Sequence, residues 1–178
     1  MPSNTALTVG PKIEYALVQT YNQYTKKETQ VILAKNLIQK QFGKGFAEVA
    51  SMDDLLGFDG DGKTIPYHVI GTCMGTDLVG LIYLQLLPYV QPFENPEKAF
   101  VVIPGDFVTT EDGTGIVHTA PTFGADDALV AKQAGVPGLL VEDENGKLVP
   151  LVDLRGRFRP EVKDDVFGFA NEYVKAEY

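Results

Sequence analysis

The chain has 178 residues and 44% hydrophobic content, enough to bury one sizeable core and consistent with a single domain over 1–178. Its 24 acidic residues outnumber 15 basic ones, a formal net charge of -9, which excludes a surface that grips nucleic-acid phosphates unaided. One cysteine, Cys73, excludes an internal disulfide and a thiolate metal cluster and suits a reducing cytoplasm, and no apolar run nears the roughly 20 residues of a membrane-spanning helix.

Pro2-Ser3-Asn4 leads at once into the strand-like Thr5-Ala6-Leu7-Thr8-Val9, as though the chain began partway through an element. Residues 15–21 and 28–34 are rich in β-branched and aromatic side chains and flank a polar stretch, which predicts a hairpin. Leu37, Ile38 and Phe42 share a helical face that stops at Gly43, and a second short helix starts near Ser51, a natural N-cap. Asp59-Gly60-Asp61-Gly62 has the opening of a calcium loop but none of its later ligands, so a surface turn is expected. His68 stands alone in an apolar strand, Gly71 to Thr76 lacks the spacing and lysine of a phosphate loop, and Cys73 reads as a small hydrophobe; all three are taken as structural.

From Gly71 to Phe107 short apolar runs alternate with Pro88, Pro92, Pro96 and Pro104, a barrel-like pattern of brief strands and irregular loops. Ile116-Val117-His118 then predicts a strand, and Ala125 to Gln133 a helix closed by Gly135. A hairpin around Glu144-Asn145-Gly146 and an amphipathic helix over 164–178 complete the chain.

The densest polar cluster runs from Thr109 to Asp127. A strand delivering His118 to a loop that opens a helix at Asp126-Asp127 would bring an imidazole and two carboxylates to one cavity, with glycines allowing close backbone approach to a ligand. This predicts a carboxylate that binds a cation beside a hydrogen-bonding histidine, without identifying a reaction. Asp126 is equally placed to cap the helix, and a histidine ending an apolar strand is commonly structural.

Gly113-Thr114-Gly115-Ile116-Val117-His118-Thr119-Ala120-Pro121-Thr122-Phe123-Gly124-Ala125-Asp126-Asp127 closely resembles the signature of the editing domain inserted in isoleucyl-tRNA synthetases. Editing domains of the valyl and leucyl relatives share the Gly-Thr-Gly and a later Asp but generally lack this His-x-x-Pro-x-Phe-Gly arrangement. Pro2 to Leu7 and Gly75 to Gly80 are similar to two further family segments, so the resemblance spans nearly the whole chain.

The resemblance implies a mainly β, α+β fold: a β-barrel with short flanking helices. It implies post-transfer proofreading, in which mischarged valyl-tRNA(Ile) is hydrolysed by water with no cofactor, no metal and no covalent intermediate. Asp127 matches the carboxylate that holds the substrate ammonium and His118 the histidine that orients the aminoacyl group; Asn4, Phe123 and Asp126 are substrate-binding candidates. The implied partners are the mischarged tRNA acceptor end and the remainder of a parent synthetase, with no DNA or membrane. One departure stands out: the family's Thr-Thr-Thr-Pro-Trp-Thr-like strand should precede Pro2, so part of the active site is expected to be missing. A catalytically weak binding module for the acceptor end, or an editing domain of the valyl or leucyl kind, is the alternative.

Overall fold

A computed structural model describes residues 2–163 and 168–174. These residues are mostly strands joined by irregular loops, with a few short helices, and they divide into two compact units. Of the described residues, one holds 9–79 and 104–117, the other 2–8, 80–103, 118–163 and 168–174.

In the first unit, β2 (Glu14–Tyr21) and β3 (Glu28–Ala34) form the expected hairpin, in antiparallel register from Tyr15 opposite Ala34 to Tyr21 opposite Glu28. The turn is closed by Asn22, whose side chain accepts the N–H groups of Tyr24 and Thr25 at 2.9 Å. On the other side of β2 lies β5 (Ile65–Met74), also antiparallel, and β4 (Phe46–Glu48) adds parallel to β5, giving the order β3-β2-β5-β4. A 3-10 turn over Lys35–Leu37 passes into α1 (Ile38–Gln41), where Leu37 and Ile38 are buried as the spacing required. α2 (Met52–Leu56) starts at Ser51, whose hydroxyl accepts the Asp54 N–H at 3.2 Å and so satisfies one of the helix's orphan donors. α2 buries Leu55 with Tyr21 and Ile65, and Phe42 stacks on Tyr67 at 4.8 Å.

His68 Nδ1 lies 2.9 Å from the Val49 carbonyl oxygen, Asp59 Oδ1 accepts the Asp61 N–H at 3.0 Å in a surface turn, and burial pushes the Cys73 thiol pKa up. The last turn of this region is α3 (Gly75–Leu78), whose Asp77 Oδ2 accepts the Met74 N–H at 2.9 Å.

The second unit holds residues 6–8, 101–103, 118 and 119 of β1 (Ala6–Val9), β6 (Val101–Pro104) and β7 (Ile116–Thr119), strands that are neighbours in a three-stranded sheet of order β6-β1-β7. Beyond β6, Gly80 and Tyr83 donate to the Val102 and Phe100 carbonyls, extending the pairing outward. α4 (Ala125–Ala134) buries Ala131 against Ala6, Ile103 and Val136, and ends at Gly135 in the left-handed conformation, φ 70°. β8 (Leu140–Glu142) and β9 (Leu148–Pro150) make the predicted hairpin, with Gly146 at φ 76° in its turn. It packs Leu139, Val141, Val149 and Leu151 with Phe158 and Val162; each such side chain, fully buried, is worth about 1.5–3 kcal/mol.

Two expectations need correction. The strands of the described residues form open sheets of three, four and two strands rather than a closed barrel; in the four-stranded sheet β3 and β4 stand at opposite edges and do not pair. The C-terminal helix is not found over residues 168–174, and the rest of its span lies outside the described residues. There Phe169 stacks on Phe158 at 5.2 Å, Asn171 takes a left-handed φ of 65°, and Tyr173 bridges to Arg157, so aromatic packing wins over helical periodicity. Among the described residues, no helix is long and apolar enough to cross a membrane.

Candidate functional site

β7 alternates as a strand must: Thr119 points inward and is fully buried, while His118 is exposed. The Thr119 hydroxyl lies 2.5 Å from that of Thr8, and its carbonyl accepts the Thr5 N–H at 3.1 Å. What packing the His118 ring has disfavours its charged form, so its pKa lies below the ordinary histidine value of 6.5.

Beyond β7 the chain turns tightly, the Phe123 N–H donating to the Ala120 carbonyl at 2.9 Å, and enters α4. Both acids fall in the first turn of α4, where the helix N-terminus attracts negative charge. Asp127 reaches back: its Oδ2 accepts the N–H of buried Ala120 at 2.9 Å, tying the helix start to the residue that follows the His118–Thr119 strand end. Asp126 is exposed and does not cap the helix; the N-cap is Gly124, with no side-chain cap bond. The reason is geometric, since Asp126 is already the second helical residue, whereas a capping side chain must come from the residue outside the first turn. Phe123 is 48% exposed.

Asn4 sits on the other side of the strand end. Its Nδ2 donates to the Ala6 carbonyl at 2.5 Å and, at 3.5 Å, to that of Thr119, while its Oδ1 accepts the Tyr83 hydroxyl at 2.5 Å. The backbone of residues 118–120 is thus held by Asn4 and Thr5 at Thr119 and by Asp127 at Ala120. The hydroxyls of Ser3, Thr5 and Thr122 are buried and without a hydrogen-bond partner among the described residues. Sequence reasoning missed Thr8, Tyr83 and Thr119; the alternation of exposed Ile82 and Leu84 about Tyr83 was the signal that the tyrosine faces inward.

The Gly113–Gly115 stretch is tied to the fold by its carbonyls. Successive carbonyls accept from Gln41 Nε2 (Gly113, 2.6 Å), the Ala34 N–H (Thr114, 2.8 Å) and the Tyr15 hydroxyl (Gly115, 2.6 Å). At Gly115, φ is 73° and an added Cβ would stand 2.6 Å from the Ala34 Cβ, so only glycine fits.

Four of the cavities on the described residues are lined by other residues than Asn4, His118, Phe123, Asp126 and Asp127. Among the described residues, no cluster of His, Cys, Asp and Glu could hold a metal ion.

No family model matches the chain. An isoleucine–tRNA ligase of Cytophaga hutchinsonii is 56% identical over 178 residues, which is 100% of this chain and 15% of that protein. Those of Bacteroides thetaiotaomicron and Porphyromonas gingivalis are 50% and 48% identical over 89% and 100% of the chain, covering 14% and 16% of each relative. The chain therefore spans about 15% of the length of the curated relatives it matches. The crystal structure of GlLeuRS-CP1 aligns at a TM-score of 0.46 and 18% identity, over 76% of this chain and 43% of that one, too loose a likeness to carry an argument.

Proposed function

We propose, from the premise that this chain belongs to the isoleucyl-tRNA synthetases as a homologue of one segment of them, that it is their proofreading domain and hydrolyses valyl-tRNA(Ile). The observation that carries the reading is the full-length match at 56% identity in a chain whose Gly113–Asp127 segment sets His118 and Asp127 around one strand–helix junction.

The chemical need is well defined. A synthetic site separates isoleucine from valine by one methylene, worth about 1–3 kcal/mol; this pair is the standard worked example of the limit, at about 150-fold. A second, smaller site excludes isoleucine and destroys the valyl ester. In the proposed reaction water adds to the ester carbonyl, the bond to the ribose oxygen breaks, and that oxygen takes up a proton as valine leaves. Asp127 spends Oδ2 on the Ala120 N–H, and its other oxygen binds the α-ammonium of the aminoacyl group by a charge-assisted hydrogen bond. His118, exposed beside that junction and held toward the neutral form, orients the ester. Asn4, Phe123 and Asp126 complete the walls. The partners are the acceptor end of a mischarged tRNA and the remaining portion of a synthetase, which supplies the phosphate contacts that a net charge of -9 disfavours.

A second reading is binding of the acceptor end without hydrolysis, for which the same junction of Asn4, His118 and Asp127 would serve. Titration with a non-hydrolysable valyl-adenosine analogue, followed by 15N–1H spectra, tests the location. Shifts centred on Ala120, His118 and Asp127 are expected under either reading; no response there overturns both, and turnover of the ester decides between them.

A further inference from the structure

We infer that Tyr83 is a positioning residue of this site, acting through Asn4: its hydroxyl fixes the Asn4 amide so that Asn4 clasps the end of the His118-bearing strand. The inference rests on the proofreading reading for its kinetic consequence and on geometry alone for the clasp.

The orientation of the amide follows from its neighbours. One end of Asn4 faces two carbonyl oxygens, those of Ala6 and Thr119, so that end must be the donor, Nδ2. The opposite end is then the acceptor Oδ1, and the Tyr83 hydroxyl 2.5 Å away must donate to it. Burial pushes the Tyr83 pKa well above the ordinary tyrosine range, so the hydroxyl keeps its proton.

Tyr83 is itself rigidly placed. Its N–H donates to the Phe100 carbonyl at 2.8 Å and its ring meets the Phe100 ring edge-on at 6.0 Å. Phe100, at φ 59°, in turn donates its N–H to the Thr5 carbonyl at 2.6 Å. The tyrosine is therefore fixed against the same N-terminal segment whose Asn4 it orients. Without the hydroxyl, Oδ1 loses its donor, and the amide is anchored only through Nδ2, by the Ala6 carbonyl at 2.5 Å and the longer contact to Thr119 at 3.5 Å. The strand end bearing His118 and leading to Ala120 and Asp127 is then held more loosely by Asn4, and small misplacements of reacting groups are costly.

The test is Tyr83→Phe in the 178-residue chain, with two readouts. In 15N–1H spectra the Asn4 side-chain NH2 pair should move or broaden, and in single-turnover hydrolysis of valyl-tRNA(Ile) the maximal rate should fall about tenfold with half-saturation changed less than about twofold. Asn4→Ala should lose a similar factor, and the double variant no more than the worse single one, because both act through one contact. A merely structural role would lower the urea midpoint and leave the rate of the folded protein unchanged. An unmoved Asn4 NH2 pair overturns the clasp, and a wild-type rate or a multiplicative double variant overturns its role in positioning. If the wild-type chain itself does not hydrolyse the ester, the proofreading reading has failed, and the Asn4 resonances still decide the clasp.

Discussion

Asp127 carries two separable duties, and substitution can part them. Its Oδ2 accepts the N–H of Ala120, a residue with no solvent exposure. In Asp127→Ala that N–H is orphaned, which costs about 1–3 kcal/mol of stability. The same change removes the counter-charge for the substrate ammonium; losing one partner of such a pair costs about 2–5 kcal/mol, or roughly 30- to 5,000-fold in the rate of valyl-tRNA(Ile) hydrolysis. Asp127→Asn keeps an acceptor for Ala120 and loses only the charge. Its stability should fall less than that of Asp127→Ala, by about 1 kcal/mol, because the bond to Ala120 becomes a neutral one, while hydrolysis falls about tenfold, the difference between a charge-assisted and a neutral hydrogen bond. Urea denaturation and single-turnover deacylation of all three proteins provide the comparison. If Asp127→Asn hydrolysed the ester as fast as wild type, the ammonium-binding role would be refuted; if Asp127→Ala unfolded at the wild-type midpoint, the tie to Ala120 would be.

Other outcomes follow from the same geometry. The folded-state pKa of His118 lies below 6.5, so the unfolded chain binds the proton more readily; this destabilisation is absent above about pH 6.5 and grows as pH falls through the folded pKa. His118→Gln should therefore lose less stability than wild type between about pH 7.5 and 5 in urea titrations, and should slow hydrolysis less than Asp127→Ala does. Tyr15→Phe removes a buried hydroxyl that accepts the Gly10 N–H at 2.9 Å and donates to the Gly115 carbonyl at 2.6 Å, and should lower stability by about 1–3 kcal/mol by thermal or urea unfolding. Treatment with a chelator should leave hydrolysis unchanged; loss restored by a divalent ion, with tRNA folding unaffected, would contradict a metal-free site.

The parts of the fold legible in the sequence are those where local chemistry and burial agree. The hairpin at 14–34, the Ser51-capped helix and the Gly135 stop each rest on residues whose preference the surroundings reinforce. The helix expected after residue 163 failed over 168–174 because its apolar spacing is satisfied by Phe169 stacking on Phe158, a long-range contact invisible in a window of sequence. Barrel-like alternation could not specify which strand edges meet, since pairing is fixed by register and turns across the chain. At the site, the strand–loop–helix carrying His118 and Asp127 was readable, but the roles of its neighbours were not. The Gly-Thr-Gly run proved to supply carbonyls that hold Gln41, Ala34 and Tyr15, and Asp126 was displaced as cap by Gly124. Tyr83 lies 79 positions from Asn4, and no local pattern links them.

The central claim is selective hydrolysis, and its most direct test is a single-turnover comparison of valyl-tRNA(Ile) and isoleucyl-tRNA(Ile) with this chain, at tRNA concentrations high enough to offset the net charge of -9. The account predicts that the valyl ester is cleaved well above the spontaneous rate, that the isoleucyl ester is spared, and that Asp127→Ala abolishes the difference. Equal cleavage of both esters, or none of either at saturating tRNA, would contradict it.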